Sequence, residues 1–332
     1  MHRVVATCAI ALVTVVSTAP AKQASPRSTT PLEELLWWLP ENTETIMATQ
    51  VPTRVASGPL FEELANLTAE IKLGDTPYAE TMMRHLRSAR LRGTLEGSRH
   101  FLPPSGLGEM RYEGATLYLF EKPLGATANA LMTELKKTAL SVEQIQNVTV
   151  VAFRDRLEND TWNSFIALPR PDVLVSATSR QYLKELLARV GTRPARRALP
   201  DTLPEWRWVD VNSPFWAVRH YRHDYAQSDP TSPFRKGRGN SAADLTFDAV
   251  ALGLTAYASD DGRTVLVRYL SKSAKAEQLA SRIFTHPGDG VSPSVRKIAD
   301  ETIEVRFTAK DGEHLSMFLF YLFAALGHAT FL

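Results

Sequence analysis

The chain has 332 residues, 44% of them apolar, with 38 Lys and Arg against 36 Asp and Glu and a formal net charge of +2. So balanced a charge excludes a protein that holds nucleic acid mainly by electrostatics, and the apolar share is enough for a sizeable core. The single cysteine, Cys8, lies in the N-terminal segment, which leaves the rest of the chain without disulfide, thiolate nucleophile or cysteine-bound metal.

Residues 1–21 read as a signal peptide. His2 and Arg3 precede an apolar stretch from Val4 to Val16, and Ala19-Pro20-Ala21 supplies a small-x-small cleavage pattern. The expectation is an exported protein, periplasmic or extracellular, with 22–29 as a flexible leader. A first helix is predicted from Thr30-Pro31-Leu32-Glu33, with Leu32, Leu35, Leu36 and Leu39 on one face and Pro40 as its stop. Thr45 to Gln50 reads as a strand. Two helices follow, one opening at Pro59 and one at Thr76-Pro77, then strands near Leu91 to Arg99 and Ala115 to Glu121 across the turn-rich segment 103–108. A helix from Ala126 to Leu140 leads to strands at Val148 to Phe153, Trp162 to Leu168 and Val173 to Ala177. A capped helix then carries Tyr182, Leu183, Leu186, Leu187 and Val190 on one side.

The proline- and arginine-rich stretch 192–204 marks a boundary, dividing an α+β domain at 30–196 from another at 197–332. In the second, Glu205 to Asn212 and Phe215 to Tyr221 read as strands, and 224–240 as a long loop. Asp244 to Ala258 with Arg263 to Leu270 reads as a hairpin, Ser273 opens a helix, and Ile303, Val305 and Phe307 alternate with polar residues. Hairpin signals outnumber regular βαβ alternation. The predicted fold is therefore α+β, mostly antiparallel sheets covered by helices. The strand–helix–strand order of 115–153 recurs at 263–307, which admits two similar halves. The uncharged C-terminal run 315–332 reads as an apolar helix; membrane contact through it is not favoured, because no Lys or Arg follows to anchor it.

Catalytic signatures are missing: no Gly-x-Ser-x-Gly elbow, no phosphate-binding or dinucleotide glycine loop and no His-Glu-x-x-His. The candidate ligand-binding residues are His220, His223 and Asp224, in a run of histidines and arginines, and Asp229 in the long loop. Trp206 and Trp208 join them, since strand alternation would present both on one face as an aromatic platform. Residues three apart on a strand face opposite sides, so the two histidines predict no metal site. No catalytic residue and no cofactor is predicted. The reading is an exported binding or interaction protein for an unidentified protein or small molecule, with no nucleic-acid partner. A periplasmic hydrolase with dispersed histidines and carboxylates, or a membrane-associated assembly subunit, are the alternatives.

Two segments carry a resemblance. Leu36-Trp-Trp-Leu-Pro-Glu-Asn-Thr-Glu-Thr-Ile-Met-Ala48 and Asp172-Val-Leu-Val-Ser-Ala-Thr-Ser-Arg-Gln-Tyr-Leu183 resemble uncharacterised exported bacterial proteins. The motifs are structural, a helix and turn leading into a first strand and a strand leading into a capped helix. They imply no activity, ligand or site.

Overall fold

The structure, a computed structural model, describes residues 32–50, 78–101, 111–157, 160–192, 194–220, 253–259, 263–271, 277, 290–315 and 317–318. The expected signal peptide, leader, Pro59 helix and long loop 224–240, the segment 103–108, almost all of the helix expected from Ser273 and most of the C-terminal run lie outside them.

Twelve strands form one sheet. They are β1 (Thr45–Gln50), β2 (Leu91–Phe101), β3 (Arg111–Phe120), β4 (Ser141–Ile145), β5 (Val148–Leu157), β6 (Asp160–Arg170), β7 (Val173–Ala177), β8 (Phe215–His220), β9 (Gly253–Ala258), β10 (Thr264–Leu270), β11 (Val291–Ala299) and β12 (Thr302–Ala309). Their order across the sheet is β11-β12-β10-β9-β8-β1-β2-β3-β7-β6-β5-β4, and every pairing is antiparallel. The described α-helices are short: α1 (Glu33–Leu36), α2 (Ala79–Leu86), α3 (Ala126–Thr138) and α4 (Arg180–Leu187).

This corrects the expected fold. A single large antiparallel sheet with few short helices stands where several sheets covered by helices were expected. Two strands, β4 and β11, have no counterpart in the sequence reading, and the alternating Val291 and Val295 of β11 are only partly buried. They are the two edges of the sheet, so they are wetted and read as polar: Glu143 and Gln144 in one, Pro293, Arg296 and Lys297 in the other. The join between the two ends of the sheet is equally silent in sequence. β1 pairs with β8 from Thr45↔Arg219 to Thr49↔Phe215, a contact between strands far apart along the chain. The first helix is also shorter than expected, and Leu32 caps it without a side-chain hydrogen bond.

Alternation sorts the core. Leu117 and Leu119 of β3 join a cluster with Leu32, Leu35 and Leu39 beside α1, Leu183 and Leu186 of α4, and Trp216 of β8. Tyr118 and Phe120 point the other way, into a cluster with Met82 of α2 and Leu131 and Leu135 of α3. A third cluster joins Phe215, Val265, Val267, Val305 and Phe307 to Leu315 and Phe318, so the start of the C-terminal run is buried against the sheet. Phe307 and Phe318 have ring centroids 4.4 Å apart. Gly97 lets α1 and α4 sit close to the sheet: a Cβ there would lie 2.6 Å from the Tyr182 hydroxyl and 2.7 Å from Leu39. Among the described residues no helix is long and apolar enough to cross a membrane.

Candidate functional site

The segment expected to be a strand at Glu205 to Asn212 begins instead as a 3-10 turn, Pro204–Arg207, lying over β8 and β9. Pro204 has no N–H for a sheet ladder and its fixed φ suits the first position of a helical turn. The turn closes with Trp206 N–H donating to Leu203 O at 3.3 Å and Trp208 N–H to Glu205 O at 2.9 Å.

The change of conformation separates the two tryptophans. Trp206 turns inward and is 8% exposed. Its indole N–H donates to Leu199 O at 2.8 Å, its ring meets Trp216 edge-on at 6.0 Å, and the Arg197 guanidinium lies 4.4 Å from it. Trp208 stays half-buried, with the Arg268 guanidinium 5.5 Å from its ring and 5.3 Å from that of Tyr257. Arg268 also donates to Trp208 O at 2.7 Å. The platform of two parallel tryptophans does not form; one ring is core, the other belongs to an aromatic–guanidinium stack.

Glu205, just before Trp206 in the turn, is 0% exposed. Its Oε1 lies 2.7 Å from Nδ1 of His220, the last residue of β8, which is itself 35% exposed. His220 stands opposite Gly253 on β9. A side chain at that position would have to displace the Glu205 carboxylate, because a Cβ on Gly253 would overlap Glu205 Oε1. The carboxylate therefore fills the space the glycine leaves. Its second oxygen, Oε2, is buried without a hydrogen-bond partner, as are Trp216 Nε1 and Thr255 Oγ1 on the same face of β8 and β9.

Three of the six residues named from sequence, His220, Trp206 and Trp208, thus gather around Glu205. His223, Asp224 and Asp229 lie outside the described residues. Sequence reading missed Glu205, Gly253, Thr255 and Arg268. One signal was available: Leu203-Pro204-Glu205 repeats Leu39-Pro40-Glu41, and the two triplets precede β8 and β1, the strands that pair at the middle of the sheet. Chemically, a buried carboxylate that holds one ring nitrogen fixes the orientation of the imidazole and leaves its other nitrogen to donate or accept. No group of three or more His, Cys, Asp or Glu able to hold a metal occurs among the described residues.

A second charged cluster lies under α4. Arg99, 7% exposed, donates from Nε and Nη2 to Glu113 Oε2 at 2.9 and 2.8 Å, and from Nη1 and Nη2 to Glu185 at 2.7 and 3.1 Å. Nη1 also reaches Asn42, and Ser179 donates to Glu113 Oε1 at 2.7 Å. Burial works against the charge on Arg99, but the two carboxylates outweigh it and raise its pKa above the ordinary arginine value. Burial likewise pushes Glu185 up, and hydrogen bonds from Arg99 and Gln181 reverse it, leaving the carboxylate below its ordinary range. An open groove lined by Pro40, Glu41, Asn42, Glu185, Ala188 and Arg189 runs beside this cluster.

No protein family and no curated protein matches the sequence. Among solved structures, the chain is similar to crystal form I of TP0453, with TM-score 0.46 and 11% identity over 90% of this chain and 99% of that one. Crystal form III gives TM-score 0.45 and 10% identity over 88% and 98% of the two chains. The likeness is one of overall chain trace at low identity.

Proposed function

We propose that the protein is an exported binding protein that takes a small polar ligand at the Glu205–His220 corner of the sheet, without chemistry of its own. One observation carries this reading. A fully buried carboxylate has one oxygen held by a half-exposed imidazole and the other unmatched. Native interiors pair almost all of their buried polar atoms, so an unmatched carboxylate oxygen beside an opening to solvent marks a place where something else supplies the partner. The neighbouring stack of Trp208, Arg268 and Tyr257 offers flat apolar surface for the remainder of such a ligand.

The test is a thermal-shift screen of the chain from Lys22 to Leu332 against polyols, sugars, amines and amino acids, followed by calorimetric titration. A compound that raises Tm in the parent protein and loses its effect in both His220→Ala and Trp208→Ala supports the reading. A compound whose binding ignores both substitutions places the ligand elsewhere and overturns it.

The same pair favours a second reading, a hydrolase. An imidazole fixed at Nδ1 by a buried carboxylate is oriented as a general base is. Turnover of chromogenic esters or glycosides that disappears in His220→Ala would establish it; no turnover in the parent protein would retire it.

A further inference from the structure

Resting on the binding reading above, we propose that Glu205 Oε2, Thr255 Oγ1 and Trp216 Nε1 together hold one hydroxyl group, delivered either by a resident water or by a polyol ligand. The three side chains belong to one face of the sheet. His220, Val218 and Trp216 alternate along β8, and their partners on β9 are Gly253, Thr255 and Tyr257. Glu205 rests on Gly253, so its carboxylate lies one step along β9 from Thr255, and Trp216 is diagonal to Thr255 across the strand pair. Glu205, Trp216 and Thr255 are each 0% exposed, and each has the named atom without a partner.

The donor and acceptor inventory narrows what can fit. A carboxylate oxygen only accepts, and an indole N–H only donates. An anion would satisfy Trp216 and be repelled by Glu205; a cation would do the reverse. A hydroxyl accepts from Trp216 Nε1–H with its lone pair, donates its proton to Glu205 Oε2, and pairs with the Thr255 hydroxyl in either sense. The neighbouring oxygen of Glu205 is already committed to His220, which fixes the carboxylate plane and leaves Oε2 as the atom presented.

The experiment uses the Lys22 to Leu332 chain labelled with ¹⁵N-tryptophan, with the Trp216 indole signal assigned by its loss in Trp216→Phe. The expected result is a cross-peak between the Trp216 indole N–H and a long-lived water, absent from Thr255→Val and kept in Thr255→Ser. Titration with glycerol and glucose separates the two sources. Replacement of the water cross-peak with a shift of the indole signal assigns the hydroxyl to a polyol; an unchanged cross-peak assigns it to resident water. The proposal is overturned if the indole N–H shows neither water nor polyol, or if Thr255→Val leaves its signal and Tm unchanged. In that event a screening hit still lost in His220→Ala would leave the binding reading standing without the hydroxyl site.

Discussion

Two of the buried charged clusters on this face of the sheet are built oppositely. Around Arg99 every carboxylate oxygen of Glu113 and Glu185 receives a hydrogen bond, from Arg99, Ser179 or Gln181. Around Glu205 one oxygen is matched and one is not. The closed cluster ties β2, β3 and α4 to the turn after α1, with nothing left over for a ligand. The open one spends a glycine and a buried carboxylate to hold an imidazole half in solvent. A closed network specifies structure, whereas an incomplete one in low dielectric is costly unless something completes it.

The largest test of that contrast is Arg99→Met. It leaves Glu113 buried, and Glu185 half-buried, without their cation, and breaking a buried pair costs about 3–5 kcal/mol. Urea unfolding followed by tryptophan fluorescence measures it. Adding Glu113→Leu and Glu185→Leu to Arg99→Met recovers much of the loss if the cluster is structural. A cost below about 1 kcal/mol for Arg99→Met would mean the network is solvated in solution and the contrast with Glu205 is false.

Legibility from sequence followed the same division. Where a segment has a local pattern, the reading met the structure: Thr45 to Gln50 and Val173 to Ala177 are strands with those bounds, and Ile303, Val305 and Phe307 point inward from β12. The helix expected to be capped is capped by Ser179, whose hydroxyl accepts from Tyr182 N–H. What failed was non-local. Edge strands have at most a partly buried face to reveal them, so β4 and β11 go unread as strands. Joining β1 to β8 turns separate sheets into one, and no residue in either strand announces its partner. For the candidate site, His220, Trp206 and Trp208 stand out in the sequence because histidine and tryptophan are conspicuous. Glu205 does not, because a glutamate in a turn looks solvated until the glycine beneath it is known. The alternation that predicted a tryptophan platform was real in sequence, but Pro204 converted it to a 3-10 turn.

Gly253→Ala probes the open cluster from below, with a smaller effect. The added methyl displaces the Glu205 carboxylate, at a cost of about 1–3 kcal/mol for overpacking, and breaks its bond to His220. The cost should vanish in a Glu205→Ala background, where the space is free, giving a coupling of about 1 kcal/mol or more by double-mutant cycle. An equal cost in both backgrounds would mean that backbone strain, and not the carboxylate, makes glycine necessary here.

The third charged cluster, beside the stack of Trp208 and Tyr257, shows how a closed arrangement responds to acid. Glu304 is 1% exposed and accepts from Arg268 Nε at 2.9 Å and from Arg296 Nη2 at 2.6 Å. Burial alone would raise its pKa; the two arginines outweigh burial and hold it below the usual carboxylate value of 4.5. The sign follows from linkage. A carboxyl that binds protons more weakly in the folded than in the unfolded state adds stability above its ordinary pKa. That stability is lost as pH falls through the lowered folded value. Arg296 is 63% exposed and its share is screened by solvent, so Arg268 at 17% carries more of the effect. Arg268→Met should therefore move the acid-unfolding midpoint upward in pH, with little change in Tm between Glu304→Gln and the double variant. Circular dichroism from pH about 2 to 6 reads both curves across the ordinary carboxylate range. If Arg268→Met shifts the midpoint equally in the Glu304→Gln background, the arginine acts through its bond to the Trp208 carbonyl. The aromatic stack, and not the carboxylate, would then be what it holds in place.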